Sequence, residues 1–256
     1  MFKALLARAR QGYRTANYPA QDPSLPALFR GRPVLDPGKC IEGCAKCVAI
    51  CPTDALLVSA SGPELDLGRC IFCGECAAAC PGNAISFSRD WRLAASERTG
   101  MVFTGDSELQ VEPLRRELRR LVGRSLRLRQ ISAGGCNGCE AEVNALGNIV
   151  FDSSRFGIEF VASPRHADGI LVTGPLTANM REATLTTYEA VASPKLVIAA
   201  GACAISGGLF RGHPEQGDGI EDLLRVDLYV PGCPPHPYTI LDGLLRLLGR
   251  IENPAG

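Results

Sequence analysis

The chain has 256 residues, of which 46% are hydrophobic, and carries 27 acidic and 27 basic side chains. That length and apolar content support one or two domains with real cores, and a net charge of zero offers no global field for a nucleic acid or an acidic polymer. The N-terminus MFKALLARAR lacks the apolar stretch of a secretory signal, and the longest apolar run, Leu196 to Phe210, is broken by glycines and falls short of a membrane span. Neither a signal peptide nor a transmembrane helix is expected, so its 12 cysteines read as reduced, metal-binding thiols rather than as disulfides.

Residues 1–35 form an arm with six basic residues against Asp22 alone. Its first ten residues predict a short amphipathic helix with Phe2, Leu5, Leu6 and Ala9 on one side and Lys3, Arg8 and Arg10 on the other. Such a helix suits a membrane surface or a partner; the plainer alternatives are a tail packed on its own domain, a solvated tail, or a transit segment.

Residues 36–92 carry two cysteine runs, Cys40, Cys44, Cys47, Cys51-Pro52 and Cys70, Cys73, Cys76, Cys80-Pro81. Each is followed by a short apolar strand, expected over residues 55–59 and 84–87, in CPTDALLVS and CPGNAISFS. The two halves read as an internal duplication. Thiolate is the ligand that iron-sulfur clusters require, and gaps of two residues let one loop wrap three corners of a cubane. In the bacterial ferredoxin run, the cysteine before proline ligates the other cluster. Applied here, Cys40, Cys44, Cys47 and Cys80 hold one 4Fe-4S cluster, and Cys70, Cys73, Cys76 and Cys51 hold a second. Paired CxxC motifs also build zinc ribbons, which is the competing reading. Two complete runs with Cys-Pro endings favour iron-sulfur, with Pro52 and Pro81 fixing the backbone as it leaves. The gap from Cys40 to Cys44 is one residue longer than usual, and Gly43 is suited to absorb it at positive φ.

Residues 93–125 read as a linker with a helix starting at Pro113, its Leu114, Leu118 and Leu121 on one face. Between residues 111 and 130 there are seven Arg against two Glu, a solvated helix face or a dock for an acidic partner. Residues 126–250 then alternate strands and helices. Strands are expected over 126–131, 158–162, 169–173, 195–200 and 226–230, and helices over 140–146, 177–191 and 238–248. That alternation predicts a doubly wound parallel sheet.

The remaining cysteines, Cys136, Cys139, Cys203 and Cys233, follow the first, fourth and fifth of these strands. All would lie at the carboxyl edge of the sheet, where open α/β sheets place ligands, in the glycine-rich loops AGGCNGCE, GACAISGG and PGCPPHP. They are therefore a third set of cluster ligands, with scattered buried thiols as the bland alternative. His166, His213 and His236 are left over as non-ligands, because the cysteines fill every position that three clusters need. Glu140, in the first turn of a helix, is a candidate proton relay or simply a favourable helix-start acid.

GRCIFCGECAAACP, with the upstream NYPAQDPSLPALFRGRP, resembles the ferredoxin-like subunit of formate hydrogenlyase. GCNGCEAEVNAL, LVTGPLTANM, GACAISGG and VPGCPPHPYTIL resemble the small subunit of membrane-bound group 4 NiFe hydrogenases, itself similar to the cluster-bearing subunit of respiratory complex I. The resemblance covers nearly the whole chain, as if the two subunits were fused. It implies an α/β plus α+β chain, an N-terminal bacterial-ferredoxin-like domain followed by a flavodoxin-like doubly wound parallel sheet domain. The two residues between Cys136 and Cys139 match the hydrogenase type, whereas complex I subunits begin this set with adjacent cysteines.

The resemblance further implies an oxidoreductase subunit that relays electrons through three 4Fe-4S clusters, with the cluster of Cys136, Cys139, Cys203 and Cys233 proximal to a Ni-Fe site on a partner large subunit. Implied partners are that large subunit, complex I-like peripheral and membrane subunits, and a donor such as formate dehydrogenase, carbon monoxide dehydrogenase or ferredoxin. The implied place is the cytoplasmic side of a membrane, held through partner subunits. A quinone- or sulfur-reducing relative and a zinc-stabilised assembly protein remain as alternatives.

Overall fold

The computed structural model describes residues 2–59, 62–105, 109–122 and 125–253. Arg124 of the arginine run lies outside them. The N-terminal helix α1 (Phe2–Gln11) forms as the amphipathic pattern requires, and none of its residues is buried. The arm after it packs down. The Ala16 amide donates to the Val150 carbonyl at 2.9 Å, the Tyr18 hydroxyl to Asp242 Oδ1 at 2.8 Å, and Arg89 Nη2 to the Leu25 carbonyl at 2.7 Å.

Two β-α-β units follow, β1 (Pro33–Leu35), α2 (Lys46–Ile50) and β2 (Leu56–Ser59), then β3 (Gly62–Asp66), α3 (Glu75–Ala79) and β4 (Ile85–Phe87). They interlock, because β1 pairs antiparallel with β4 and β2 with β3. A further strand, β5 (Val102–Thr104), adds to β3 from what reads in the sequence as linker. The sequence signal misses β1, β3 and β5; Pro33 opens β1, and Gly62 and Pro63 open β3, residues that interrupt a strand pattern. The linker helix is also shorter than expected. Instead of starting at Pro113 it is α4 (Arg116–Val122), with Leu114 buried before it and Leu121 exposed rather than facing the core.

The second half holds five parallel strands, β6 (Leu126–Ser132), β7 (Ile158–Phe160), β8 (Gly169–Thr173), β9 (Leu196–Ala200) and β10 (Leu228–Val230). Their spatial order is β7-β6-β8-β9-β10. The helices are α5 (Gly138–Ala145), α6 (Ala178–Ala190), α7 (Ala202–Ser206) and α8 (Pro237–Leu247). Because side chains alternate along a strand, Ile170, Val172, Val197 and Ala199 enter one buried cluster with α6 residues Met180 and Tyr188 against it. Leu171, Leu196, Ile198 and Ala200 enter another with α5 and α8. Burial on both faces explains why β8 and β9 read as unbroken apolar runs. The first cluster also contains Leu35, Leu56, Leu65 and Ile85, so the cysteine-rich half and one face of the parallel sheet share a continuous core.

Candidate metal centres

The duplication builds two matching thiol pockets. In each half the last cysteine of the run closes a short helix: the Cys51 amide donates to the Val48 carbonyl at 3.2 Å, the Cys80 amide to that of Ala77 at 3.4 Å. Three residues on, Asp54 and Asn83 take φ of 50° and 51°, a left-handed conformation that Asp and Asn tolerate. That turn aims the next amide back at sulfur, with Ala55 N 3.3 Å from Cys51 Sγ and Ala84 N 3.2 Å from Cys80 Sγ. The Cys-Pro-x-Asp/Asn-Ala pattern of both halves is therefore a device for donating an N–H to a thiolate.

The cysteines exchange partners between halves. One cavity is walled by Cys40, Cys44, Cys47 and Cys80, a second by Cys51, Cys70, Cys73 and Cys76. The other walls are apolar, including Ile41, Pro63 and Ile85 in the first, Leu56, Leu65 and Phe87 in the second. Gly43 takes φ of 74°, so the longer loop between Cys40 and Cys44 turns where glycine allows it.

The third set gathers at the carboxyl edge of the parallel sheet. Cys136 and Cys139 come from the loop and helix after β6, Cys203 from α7 after β9, Cys233 from the loop after β10. Burial first, and then the neighbouring Cys203, Glu140, Cys233 and Cys136, push the Cys139 thiol up. Glycines let the sulfurs approach. A Cβ on Gly201 would lie 2.5 Å from Cys139 Sγ, and one on Gly208 would lie 2.8 Å from Cys203 Sγ. The chain changes direction between β6 and β8, and Glu140 sits there, 6% exposed. Its Oε1 accepts from Ser132 Oγ at 2.6 Å and Thr173 Oγ1 at 2.7 Å, tying the ends of β6 and β8. Burial pushes the Glu140 carboxyl up, but those two hydroxyls and the residue's own amide leave it below its usual range.

As free thiols these groups sit poorly. Burial, then neighbouring thiolates, push Cys70 up to about 12 and Cys76 and Cys203 up to about 11, with a phenylalanine amide partly opposing at Cys70. Ligation reverses this logic, because a bound cationic centre takes its cysteines deprotonated. Four-sulfur sets around a cavity, with backbone N–H groups on sulfur, fit an iron-sulfur cubane. Among the described residues no three His, Cys, Asp or Glu side chains converge as a single ion would need. His236 Nδ1 accepts from the Tyr238 amide at 3.2 Å, and His213 Nδ1 from that of Glu215 at 3.2 Å.

Sequence reasoning singled out the cysteines, Glu140 and the glycine-rich loop that contains Gly201 and Gly208, but not Ser132 and Thr173, which position Glu140. After α1 the arm follows the plainer reading of a tail packed on its own chain: Phe29 meets the His236 ring edge-on at 5.5 Å, and Arg30 Nη1 donates to the Phe72 carbonyl at 3.3 Å. The motif LFRGRP was the available signal for that contact.

Residues 136–247 match the family of the NADH ubiquinone oxidoreductase 20 kDa subunit, and residues 32–81 match the 4Fe-4S dicluster domain. A probable membrane-bound hydrogenase subunit of Pyrococcus furiosus is 40% identical over 54% of this chain and 82% of its own length. Formate hydrogenlyase subunit 7 of Escherichia coli is 40% identical over 56% of each chain. An NADH-quinone oxidoreductase subunit of Heliobacterium modesticaldum is 44% identical over 48% of this chain and 71% of that one. No helix among the described residues is long and apolar enough to cross a membrane. With its 4Fe-4S dicluster domain preceding the matched region, the chain belongs to the family of the NADH ubiquinone oxidoreductase 20 kDa subunit and is an oxidoreductase subunit.

Proposed function

We propose that the chain is the electron-transfer subunit of a membrane-associated NiFe hydrogenase complex of the formate hydrogenlyase type. The observation that carries this reading is the sorting of all twelve cysteines into three sets of four, two around apolar cavities and one on a sheet edge. Three 4Fe-4S clusters are assigned to them: Cys40, Cys44, Cys47 and Cys80; Cys51, Cys70, Cys73 and Cys76; and Cys136, Cys139, Cys203 and Cys233. When bound, each supplies a one-electron store. The chain's own residues hold the thiolates, donate N–H groups to sulfur and keep water from the first two sites.

The domain division 36–92 and 126–250 follows from this reading, as a formate hydrogenlyase-type ferredoxin unit fused to a group 4 hydrogenase small subunit. The strand order β7-β6-β8-β9-β10 supports a flavodoxin-like, doubly wound assignment for the second unit. Contacts support an order of transfer. The loop Gly68–Phe72 touches both α7, which bears Cys203, and the cavity wall shared with Cys233. The Cys51, Cys70, Cys73 and Cys76 set is therefore the inner relay, and the Cys40 set faces the donor.

Cys136 and Cys233 are exposed, which suits a third cluster covered by a large partner subunit that carries the Ni-Fe site. Further complex I-like peripheral and membrane subunits would hold the chain at the cytoplasmic side of the membrane. Formate dehydrogenase, carbon monoxide dehydrogenase or ferredoxin would serve as donor. For Glu140, the proposed proton relay and a structural tie between β6 and β8 are separated by Glu140→Gln: a relay variant loses turnover with its clusters unchanged, a tie variant loses the third cluster.

A quinone-reducing role is the second reading, favoured by the 44% identity to an NADH-quinone oxidoreductase subunit. The two readings part in the isolated complex under H2. Reduction of this chain's clusters by H2, seen by EPR, with nickel in a copurified large subunit, is the expected result. Clusters that stay oxidised under H2 but equilibrate with a quinol would overturn it.

A further inference from the structure

A polar seam joins the two cysteine-bearing halves without belonging to any thiol group. Gly68 lies two residues before Cys70, and Ser206 three after Cys203. Ser206 is 4% exposed, and its hydroxyl donates to the Gly68 carbonyl at 3.0 Å, with the Ala202 carbonyl at 3.1 Å as its other acceptor. The Gly68 amide donates to Asp66 Oδ1 at 3.0 Å, and Asp66 Oδ2 pairs with Arg98 at 2.6 Å and Arg69 at 3.2 Å. The loop is thus fixed from both ends.

Space, not backbone conformation, demands glycine at this position. Gly68 is not among the left-handed glycines, yet a Cβ there would lie 2.8 Å from Ile205 Cγ2 and 2.8 Å from Arg98 Cζ. Ile205 is 3% exposed on α7 and has nowhere to go. The Gly68 backbone is therefore packed against the Ile205 side chain of α7, the helix that carries Cys203. Any side chain here would push the loop of Cys70 away from α7.

We propose that Gly68 and Ser206 are positioning residues that set the gap crossed by the electron between the inner relay cluster and the third cluster. This rests on the proposed function. The transfer takes one electron from the reduced cluster on Cys51, Cys70, Cys73 and Cys76 and adds it to the oxidised cluster on Cys136, Cys139, Cys203 and Cys233. No bond breaks and no proton is needed. Electron transfer and magnetic coupling both fall steeply with separation, so a shift of this loop is read directly.

The test uses the full chain, purified anaerobically, with iron and sulfide content and midpoint potentials measured first. With both clusters reduced, EPR reports their magnetic splitting, and photoreduction reports the transfer rate. Gly68→Ala is expected to keep its iron and potentials but weaken the splitting and slow the transfer. Adding Ile205→Ala, which removes the obstructing Cγ2 and leaves only the end of the Arg98 side chain against the new Cβ, recovers part of both. Ser206→Ala weakens the splitting, while Ser206→Thr, which keeps the hydroxyl, does not. If Gly68→Ala fails to fold, the two Ser206 variants decide. Full iron with unchanged splitting and rate in Gly68→Ala, or in Ser206→Ala where that variant decides, overturns the proposal. An unsubstituted chain short of iron contradicts the proposed function itself, a result read before any variant is made.

Discussion

The two ferredoxin-type thiol sets and the sheet-edge set use the same ligand chemistry in opposite surroundings. The first two are interleaved, so that each apolar cavity takes one cysteine from the other half of the duplication, and Cys47, Cys70 and Cys76 are buried. The third set is assembled from three separate segments of loop and helix, and Cys136 and Cys233 stand exposed. The first two sites are thus walled within the duplicated half, whereas the third lies open at the sheet edge, where the proposed large subunit would cover it.

The largest expected effects come from changing one site at a time. Cys51→Ser should remove the cluster of Cys70, Cys73 and Cys76 and spare the one flanking it in sequence, lowering iron by about 4 per chain. EPR of the variant checks it, and loss of the Cys40, Cys44 and Cys47 cluster instead would break the exchange between halves. Gly201→Ala should do the reverse, because its Cβ would meet Cys139 Sγ at 2.5 Å and glycine holds φ of 94° there. The third cluster should be lost and both relay clusters retained.

A smaller effect sharpens how the arm is fastened to the sheet half. Asp242 and Arg246 are almost fully enclosed, with Arg246 Nε 2.7 Å from Asp242 Oδ2 and the Tyr18 hydroxyl on Oδ1 at 2.8 Å. Asp242→Asn would strand the guanidinium, and a loss of about 3–5 kcal/mol is expected in denaturant unfolding. Values under about 1 kcal/mol would mean that the arm does not depend on this pair. The smallest effect is the control: Arg127 and Glu159 lie 3.8 Å apart, each 52% exposed, and Glu159→Gln should change stability by less than about 1 kcal/mol.

The sequence disclosed what rests on composition and period. Cysteine spacing points to the metal chemistry, and the apolar runs of β8 and β9 announce a buried parallel sheet because both faces are covered. It hid what depends on tertiary pairing. β1 and β3 open on Pro33 and on Gly62 and Pro63, which interrupt a strand pattern, and Leu121 obeys a helical stripe yet faces solvent because Val122, four residues after Leu118, takes the buried place on α4. Nothing local marks Ser132 and Thr173 as partners of Glu140, since they meet it only when β6 and β8 lie side by side. Gly68 reads as an ordinary loop glycine until α7 is seen against it.

The central claim is that the twelve cysteines hold three four-iron clusters. Iron, acid-labile sulfide and zinc analysis of the anaerobically purified chain tests it most directly. About 12 iron and 12 sulfide per chain are expected, with no stoichiometric zinc; zinc with little sulfide would contradict the account.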